Sequence, residues 1–364
     1  MLLIATPLLL GDFLIRLICF AVLFPYVSLQ VNNIKIESMH VTVIVPTYGN
    51  RKSIFRLLDS LKLQTYKDFH VLLIYKENEG KKEILEGIKD CSGVEIEIIT
   101  QRKGRFEEAL NIAYSKADGE LGLNTDDDAH AEKNWIEEHV RFHRKHGKAG
   151  IATGKVIEEG NDSFLSKFFN EQKWRMNKHT IIDRPIDAKF RDYGMYIGRS
   201  GMLVDTGKKI DGMKTFKMHG VNMSWKHDAL EGFKLPCYTK AGGRNEAAAA
   251  IEALKRGYEP IWFNNGIIYH PRQESDSRST SIASIPKVLT AESVLFSYYV
   301  SRYTDYSVRI DTLKRRATID DLMSRLVTSG RNNGYSLGLG IALEAIEMEW
   351  KPERVRLKLI ESLN

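Results

Sequence analysis

The chain predicts an α/β fold with a doubly wound, mostly parallel sheet, followed by a helical extension. Two observations carry that expectation. From residue 41 onward, short apolar runs of strand length alternate with amphipathic stretches at helical spacing, the order that builds βα units. The chain has 364 residues, 43% hydrophobic and 27% charged, which suits one large folded domain with additions or two smaller ones, and excludes a disordered chain.

Taken in order, residues 1–31 are almost wholly apolar but broken by Pro7, Asp12, Arg16 and Pro25. The best uncharged stretch, 17–31, is short for a full span of about 20 residues. No positive charge stands at the extreme N-terminus, as a cleavable signal would require. Residues 1–38 are therefore read as a membrane anchor or monotopic segment, the alternatives being a signal sequence and an over-long start with Met39 as the true one.

Residues 41–45 read as a buried strand stopped by Pro46. Ile54, Leu57, Leu58 and Leu61 then mark one face of a helix. Strands are expected at 69–75 and 94–99, with a helix at 81–89 between them, and a helix at 104–117 carries Phe106, Leu110 and Ala113 at helical spacing. Strand 120–124 follows, then a helix at 135–146 ended by Gly147 and a strand at 150–156. The second half is less regular. It offers an apolar helix at 164–176, short strands at 195–197 and 202–204, a strand or loop at 220–225 leading to a short helix, an Ala-rich helix at 245–255 stopped by Gly257, and strands at 261–263 and 267–269. Beyond Pro271 a basic, Ser-rich linker leads into amphipathic helices whose role the pattern does not assign. The expected division is 1–38, 39–272 and 273–364.

The formal charge is +6, spread without a Lys/Arg block, which suits phosphate ligands or an anionic membrane surface and argues against nucleic acid. Three cysteines, Cys19, Cys91 and Cys237, lack metal or redox spacing and are expected to be free thiols.

One run demands a chemical reason. Strand 120–124 ends in Asp126, Asp127 and Asp128. Strand alternation would send Asp126 and Asp128 to one side and Asp127 to the other. Two carboxylates sharing a face repel unless a hard cation lies between them, and a divalent ion so held keeps open positions for phosphate oxygens. By themselves the residues also fit a solvated acidic loop or a charged helix start. Their place at the carboxyl end of a sheet strand, where open α/β sheets bind ligands, favours the metal.

Several weak motifs fall in a fixed order: Val43, Ile44, Val45, Pro46, Thr47 and Tyr48; Ser60 and Leu61; Gln64, Thr65 and Tyr66; Ala117, Asp118, Gly119 and Glu120 before the aspartates; and Trp135, Ile136 and Glu137 after them. They continue with Gly220, Val221, Asn222, Met223, Ser224 and Trp225, then Arg256, Gly257 and Tyr258, then Tyr269 and His270. Over residues 40–272 the chain thus resembles the family 2 glycosyltransferases, with the GT-A fold.

The resemblance implies an inverting transfer from a nucleotide-diphosphate sugar. It places Pro46, Thr47 and Tyr48 along the nucleotide and Asp127 on the donor, while Asp126 and Asp128 hold Mg²⁺ or Mn²⁺ on the diphosphate. Glu246 falls where the family has its general base, although as a bare residue it is also an acidic first-turn residue favoured by the helix dipole. Asn245 stands where another acid is commoner. Asn222, Met223, Trp225 and Asn245 lie on the implied acceptor side. His270 sits where some GT-A enzymes complete the metal shell, and it is equally a structural histidine. Arg102, Lys103 and Arg105 form a basic loop that either faces the diphosphate or is simply solvated.

Two departures stand out. After strand two the usual aspartates are replaced by Tyr75, Lys76, Glu77 and Asn78, leaving Glu77 as the candidate nucleotide contact. Gln172, Trp174 and Arg175 precede the base and lack the order of the processive synthases, so single-sugar transfer is expected. The expected acceptor is lipid-linked or a glycan, with the catalytic domain cytoplasmic at a membrane surface. A soluble enzyme acting on a small molecule or protein is the alternative, and a non-catalytic sugar-nucleotide or glycan-binding protein is the reading from another class. A nucleotidyltransferase is disfavoured because the first strand lacks a Gly-rich phosphate loop.

Overall fold

A computed structural model describes residues 38–48, 53–77, 82–89, 93–159, 180–271, 285–327 and 333–363. The apolar segment 1–37, the expected helix 164–176 with Gln172, Trp174 and Arg175, Asn78, Cys19, Cys91 and most of the Ser-rich linker lie outside the described residues. Contacts divide the chain into Met1–Ser38 and Met39–Asn364, and all that follows concerns the second unit.

Its elements are β1 (Val41–Thr47), α1 (Ser53–Lys62), β2 (Phe69–Lys76), α2 (Lys82–Lys89), β3 (Ile96–Gln101), α3 (Phe106–Lys116), β4 (Leu121–Asn124), β5 (His130–Ala131), α4 (Trp135–Lys145), β6 (Ala149–Thr153) and β7 (Val156–Glu159). There follow β8 (Met195–Ile197), β9 (Leu203–Asp205), β10 (Met213–Lys214), β11 (Met223–Lys226), α5 (His227–Leu230), α6 (Asn245–Lys255), β12 (Glu259–Trp262) and β13 (Ile268–Pro271). The C-terminal helices are α7 (Ile285–Tyr303), α8 (Ile310–Val327), α9 (Gly334–Glu347) and α10 (Pro352–Glu361).

Eight strands form the main sheet in the order β10-β12-β6-β11-β4-β1-β2-β3. The β3-β2-β1-β4 half is parallel throughout, as expected of consecutive βα units with right-handed crossovers. β11 enters antiparallel between β4 and β6, and makes the sheet mixed. Period-two alternation sets the two cores. Val41, Val43 and Val45 point to the layer of α1, α2 and α4. Ile44 points to the layer of α3, α6 and the C-terminal helices.

The expected single strand 150–156 is two strands in two sheets. β6 belongs to the main sheet, whereas β7 joins a small sheet of order β5-β13-β7. The break falls at Gly154, where a Cβ would lie 2.4 Å from the Gly266 carbonyl and 2.8 Å from Asn222 Nδ2. Pro46 also stays inside β1, paired with Ile74 in register, and does not stop the strand. Among the described residues no helix is long and apolar enough to cross a membrane.

Candidate functional site

The strand order turns back between β1 and β4, and such a reversal opens a ligand crevice at the carboxyl ends of the strands. Pro46 and Thr47 end β1; Asn124 ends β4 beside them, where the Thr125 N–H bonds to the Ile44 carbonyl at 3.0 Å. The cleft above is lined by Pro46, Asn124, Thr125 and Asp126 together with Gly220, Met223 and Glu246. Phe106, Leu110 and Tyr114, one face of α3 at four-residue spacing, form its wall.

The three aspartates occupy the turn from β4 to β5, closed by the Ala129 N–H on the Asp126 carbonyl at 3.2 Å. The turn, not strand alternation, separates their side chains. Asp127 accepts a 2.5 Å hydrogen bond from Thr47 Oγ1, which ties the turn to the end of β1. Asp126 and Asp128 face His270 instead, with Nε2 at 3.4 Å from Asp126 Oδ2 and 3.2 Å from Asp128 Oδ1. β13 delivers that histidine, because Tyr269 pairs with His130 just past the turn. Hydrogen bonds to the two carboxylates raise His270 to about 9 against the opposing effect of burial. The ligand atoms of Asp126, Asp128 and His270 lie within 4.8 Å of one another. Two oxygen donors and one imidazole nitrogen suit a divalent cation that accepts mixed ligands.

Glu246 stands in the first turn of α6 and lines the same cleft. Its Oε1 is so close to Gly220 that a Cβ there would lie 2.5 Å away. Asn245, beside it, is buried, and its Nδ2 packs 3.0 Å from where a Gly242 Cβ would sit.

Of the expected acceptor residues, only Met223 reaches the cleft wall. The structure places Asn222 and Trp225 in the interior, with their polar atoms bound to protein. Asn222 Nδ2 donates to the carbonyls of Lys155 and Gly266 at 3.0 and 2.7 Å, which fixes the amide orientation. Its Oδ1 accepts from Trp135 Nε1 at 2.8 Å and pairs with His139 Nε2 at 2.9 Å. Trp225 Nε1 donates to Asn124 Oδ1 at 3.0 Å, and its indole lies on Gly122, where any Cβ would collide at 2.3 Å. Both residues brace the strands under the cleft. Four hydrogen-bonding directions of Asn222 are used by protein groups, so none is left for an acceptor.

The basic loop follows β3 and is tied to the end of β2. Lys76 Nζ donates to the Gly104 carbonyl at 2.9 Å, and Arg102 pairs weakly with Glu77 at 3.9 Å, both exposed. Arg105 sits close enough to Tyr48 for its charge to offset part of the rise that burial imposes on the phenol. Lys103 contributes its carbonyl to Gln101 Nε2 at 3.0 Å. Cys237 is a free thiol, and burial pushes it up to about 12, which leaves little thiolate at neutral pH.

Residues 42–203 match the model of glycosyl transferase family 2. Over those residues, fewer than half of its 364, the chain is similar to the family 2 glycosyltransferases. Its fold is similar to that of the mannosyltransferase PcManGT from Pyrobaculum calidifontis, solved in complex with GDP-Man and Mn²⁺. Identity is 16%, the TM-score 0.50, and the match covers 88% of this chain and 85% of that one. S. aureus TarS 1-349, in complex with UDP-GlcNAc, is similar at 15% identity and a TM-score of 0.52, covering 89% of each chain. No curated protein sequence matches the chain. The family model ends before β11, α6 and β13, so Glu246 and His270 enter the site on elements outside the matched residues.

Two further parts of the site escaped the sequence reading. The α3 wall of Phe106, Leu110 and Tyr114 carries the spacing of an ordinary core face, and nothing local distinguishes a cleft wall from a core. Gly220 stands in the motif series of the resemblance, but its close approach to Glu246 has no local sign.

Proposed function

We propose that this glycosyltransferase moves a single sugar from a nucleotide-diphosphate sugar to a hydroxyl of a lipid-linked or glycan acceptor, inverting the anomeric centre. The observation that carries the proposal is that Asp126 and Glu246 line the same cleft. Asp126, Asp128 and His270 hold Mn²⁺ or Mg²⁺, the imidazole favouring Mn²⁺. The bound cation supplies Lewis-acid stabilisation of the diphosphate as charge develops on it.

The remaining steps belong to the protein. Asp127 and Thr47 keep the aspartate turn at the end of β1, where Pro46 and Tyr48 receive the nucleotide. Glu246 accepts the proton of the acceptor hydroxyl as its oxygen bonds to the anomeric carbon and the bond to the diphosphate oxygen breaks. A single displacement of this kind, with Glu246 as the base, inverts the anomeric centre. Arg105 stands near Tyr48, suited to a phosphate oxygen. The two similar structures carry GDP-Man with Mn²⁺ and UDP-GlcNAc, which supports the donor class. Association with the cytoplasmic face of a membrane rests on the apolar stretch 1–38 and is tested by whether a chain started at Met39 leaves the membrane fraction.

A thermal-shift screen tests the donor and metal together. A ligand that binds the native state raises its apparent stability. GDP-mannose, UDP-GlcNAc or a related nucleotide-diphosphate sugar should raise Tm only with Mn²⁺ in the wild type, and not in Asp128→Ala. A metal-independent shift that survives in that variant would remove the metal assignment.

A further inference from the structure

The C-terminal helices, whose purpose the sequence does not assign, reach the base-side wall of the cleft through one carboxylate. Glu292 on α7 is fully buried. Its Oε1 accepts the backbone N–H groups of Lys240 and Ala241, both at 2.7 Å, and its Oε2 accepts that of Gly243 at 2.8 Å. Three amides of one loop thus converge on a single side chain from a helix some 50 residues later.

That loop runs directly into Glu246, and its path is not one the chain adopts freely. Gly242 has φ +78°, and Arg244, the residue before α6, has φ +72°. The left-handed region costs a non-glycine residue on the order of 1 kcal/mol and persists only where the surroundings impose it. Gly243 has no alternative, since a Cβ would meet Glu292 Oε2 at 2.6 Å. The loop's other end is also held. Thr239 donates its N–H and Oγ–H to Glu107 Oε1 at 3.1 and 2.6 Å, and Glu107 is gripped in turn by Arg356 of α10. Tyr299, two turns along α7 from Glu292, donates to the Ala248 carbonyl in α6 at 3.3 Å.

We propose that Glu292 is a positioning residue for acceptor activation: it folds residues 240–244 into the turn that aims Glu246 into the cleft. The proposal rests on the reading of Glu246 as general base. A carboxylate accepts all three amides with charge-assisted bonds, whereas the glutamine amide would turn an N–H₂ donor toward at least one of them. The amides that Glu292 binds lie on the loop leading to Glu246 and not on the aspartate turn, so the effect belongs in turnover and not in donor binding.

The test compares wild type, Glu292→Gln, Glu246→Gln and the double variant, well below their unfolding temperatures. The readouts are Mn²⁺-dependent release of nucleoside diphosphate from GDP-mannose and from UDP-GlcNAc, together with amide exchange across residues 239–247. Glu292→Gln should lower kcat about ten- to a hundredfold, as expected for a catalytic group displaced by about an ångström, with donor KM within about twofold. The exchange of Lys240, Ala241 and Gly243 should rise, and the double variant should be no slower than Glu246→Gln alone. Gly243→Ala, which keeps the carboxylate but crowds it, should lower kcat in the same way and serves if Glu292→Gln does not fold. A Glu292→Gln variant that loses Tm yet keeps kcat overturns the positioning role while leaving the base in place. Turnover retained by Glu246→Gln removes the base reading, and this proposal with it.

Discussion

The two walls of the cleft are built by different means. Apart from His270, which β13 brings in, the metal-side wall is local: β1, β4 and the turn after β4 lie within 90 residues of one another in sequence, and Asp126, Asp127 and Asp128 are adjacent. The base-side wall is assembled from afar, with Gly220 before β11, Glu246 on α6 and the loop before it bound by Glu292 on α7. One wall is a short turn whose residues declare their chemistry. The other is a set of individually ordinary residues whose meaning comes from what opposes them. It follows that substitutions on the metal side should act on donor and metal affinity as well as on turnover, while those on the base side should act on turnover alone.

The sharpest break in this comparison is Asp128→Ala. It removes a nearly buried ligand atom from the cluster, and a cation's charge stabilisation of a leaving group amounts to several kcal/mol. Transfer should fall by about 10³-fold or more, and a Mn²⁺ titration of nucleotide binding should lose its saturation. Retained Mn²⁺-dependent binding would mean that the cluster is not the metal site. Next is Glu246→Gln. General-base catalysis contributes about 10²- to 10⁴-fold, so kcat should drop within that range while donor KM holds. A rise in KM at constant kcat would place Glu246 in binding and merge the two walls. A smaller effect is expected from Gly220→Ala. Its methyl would press on Glu246 Oε1, the far end of a long side chain. The fold should hold, with Tm nearly unchanged, and kcat should fall about tenfold, since small misplacements of a catalytic group are costly. An unchanged kcat would show that Glu246 works from another rotamer.

The same contrast explains what could be read before any coordinates. The βα alternation up to β4 was legible because each strand is a continuous apolar run and each helix has one apolar face, with Ile54, Leu57, Leu58 and Leu61 all buried. The aspartate turn was legible because clustered like charge has few explanations. By contrast, β6 and β7 read as one strand, because the backbone approach that parts them at Gly154 involves Gly266 and Asn222, over 60 residues away. Asn222 and Trp225 read as acceptor contacts because a polar or aromatic residue near a site carries no sign of direction. Asn222 is in fact turned inward by Trp135 and His139, on a helix that local pattern cannot relate to it. Glu292 is one acid in an amphipathic helix, and nothing in its neighbours announces three amides waiting for it.

The smallest expected effect separates cleft from brace by pH. His139 and His143 lie beneath the cleft, fully buried around Ser224, with Nδ1 of one and Nε2 of the other 2.7 and 2.8 Å from its Oγ. Burial lowers them to about 4 and about 3, opposed for His139 by the Asn222 hydrogen bond. The unfolded chain therefore binds protons near pH 6.5 that the folded chain refuses, and stability should fall as pH drops from about 6.5 toward 4. His270 has the opposite sign. Its folded value, about 9, exceeds the unfolded one, so metal-free protein keeps that contribution below pH 6.5 and loses it as pH rises through 9. The loss is about 3 kcal/mol at most, less to the extent that solvent screens the partly exposed Asp126. Denaturant midpoints of metal-free protein should thus decline on both sides of neutrality. His270→Asn should flatten only the alkaline side, because only the cleft histidine holds an extra proton. Saturating Mn²⁺ should do the same, since metal and proton compete for one imidazole. If Mn²⁺ left the alkaline decline intact, the imidazole would lie outside the metal shell, and Asp126 and Asp128 alone would have to carry the ion.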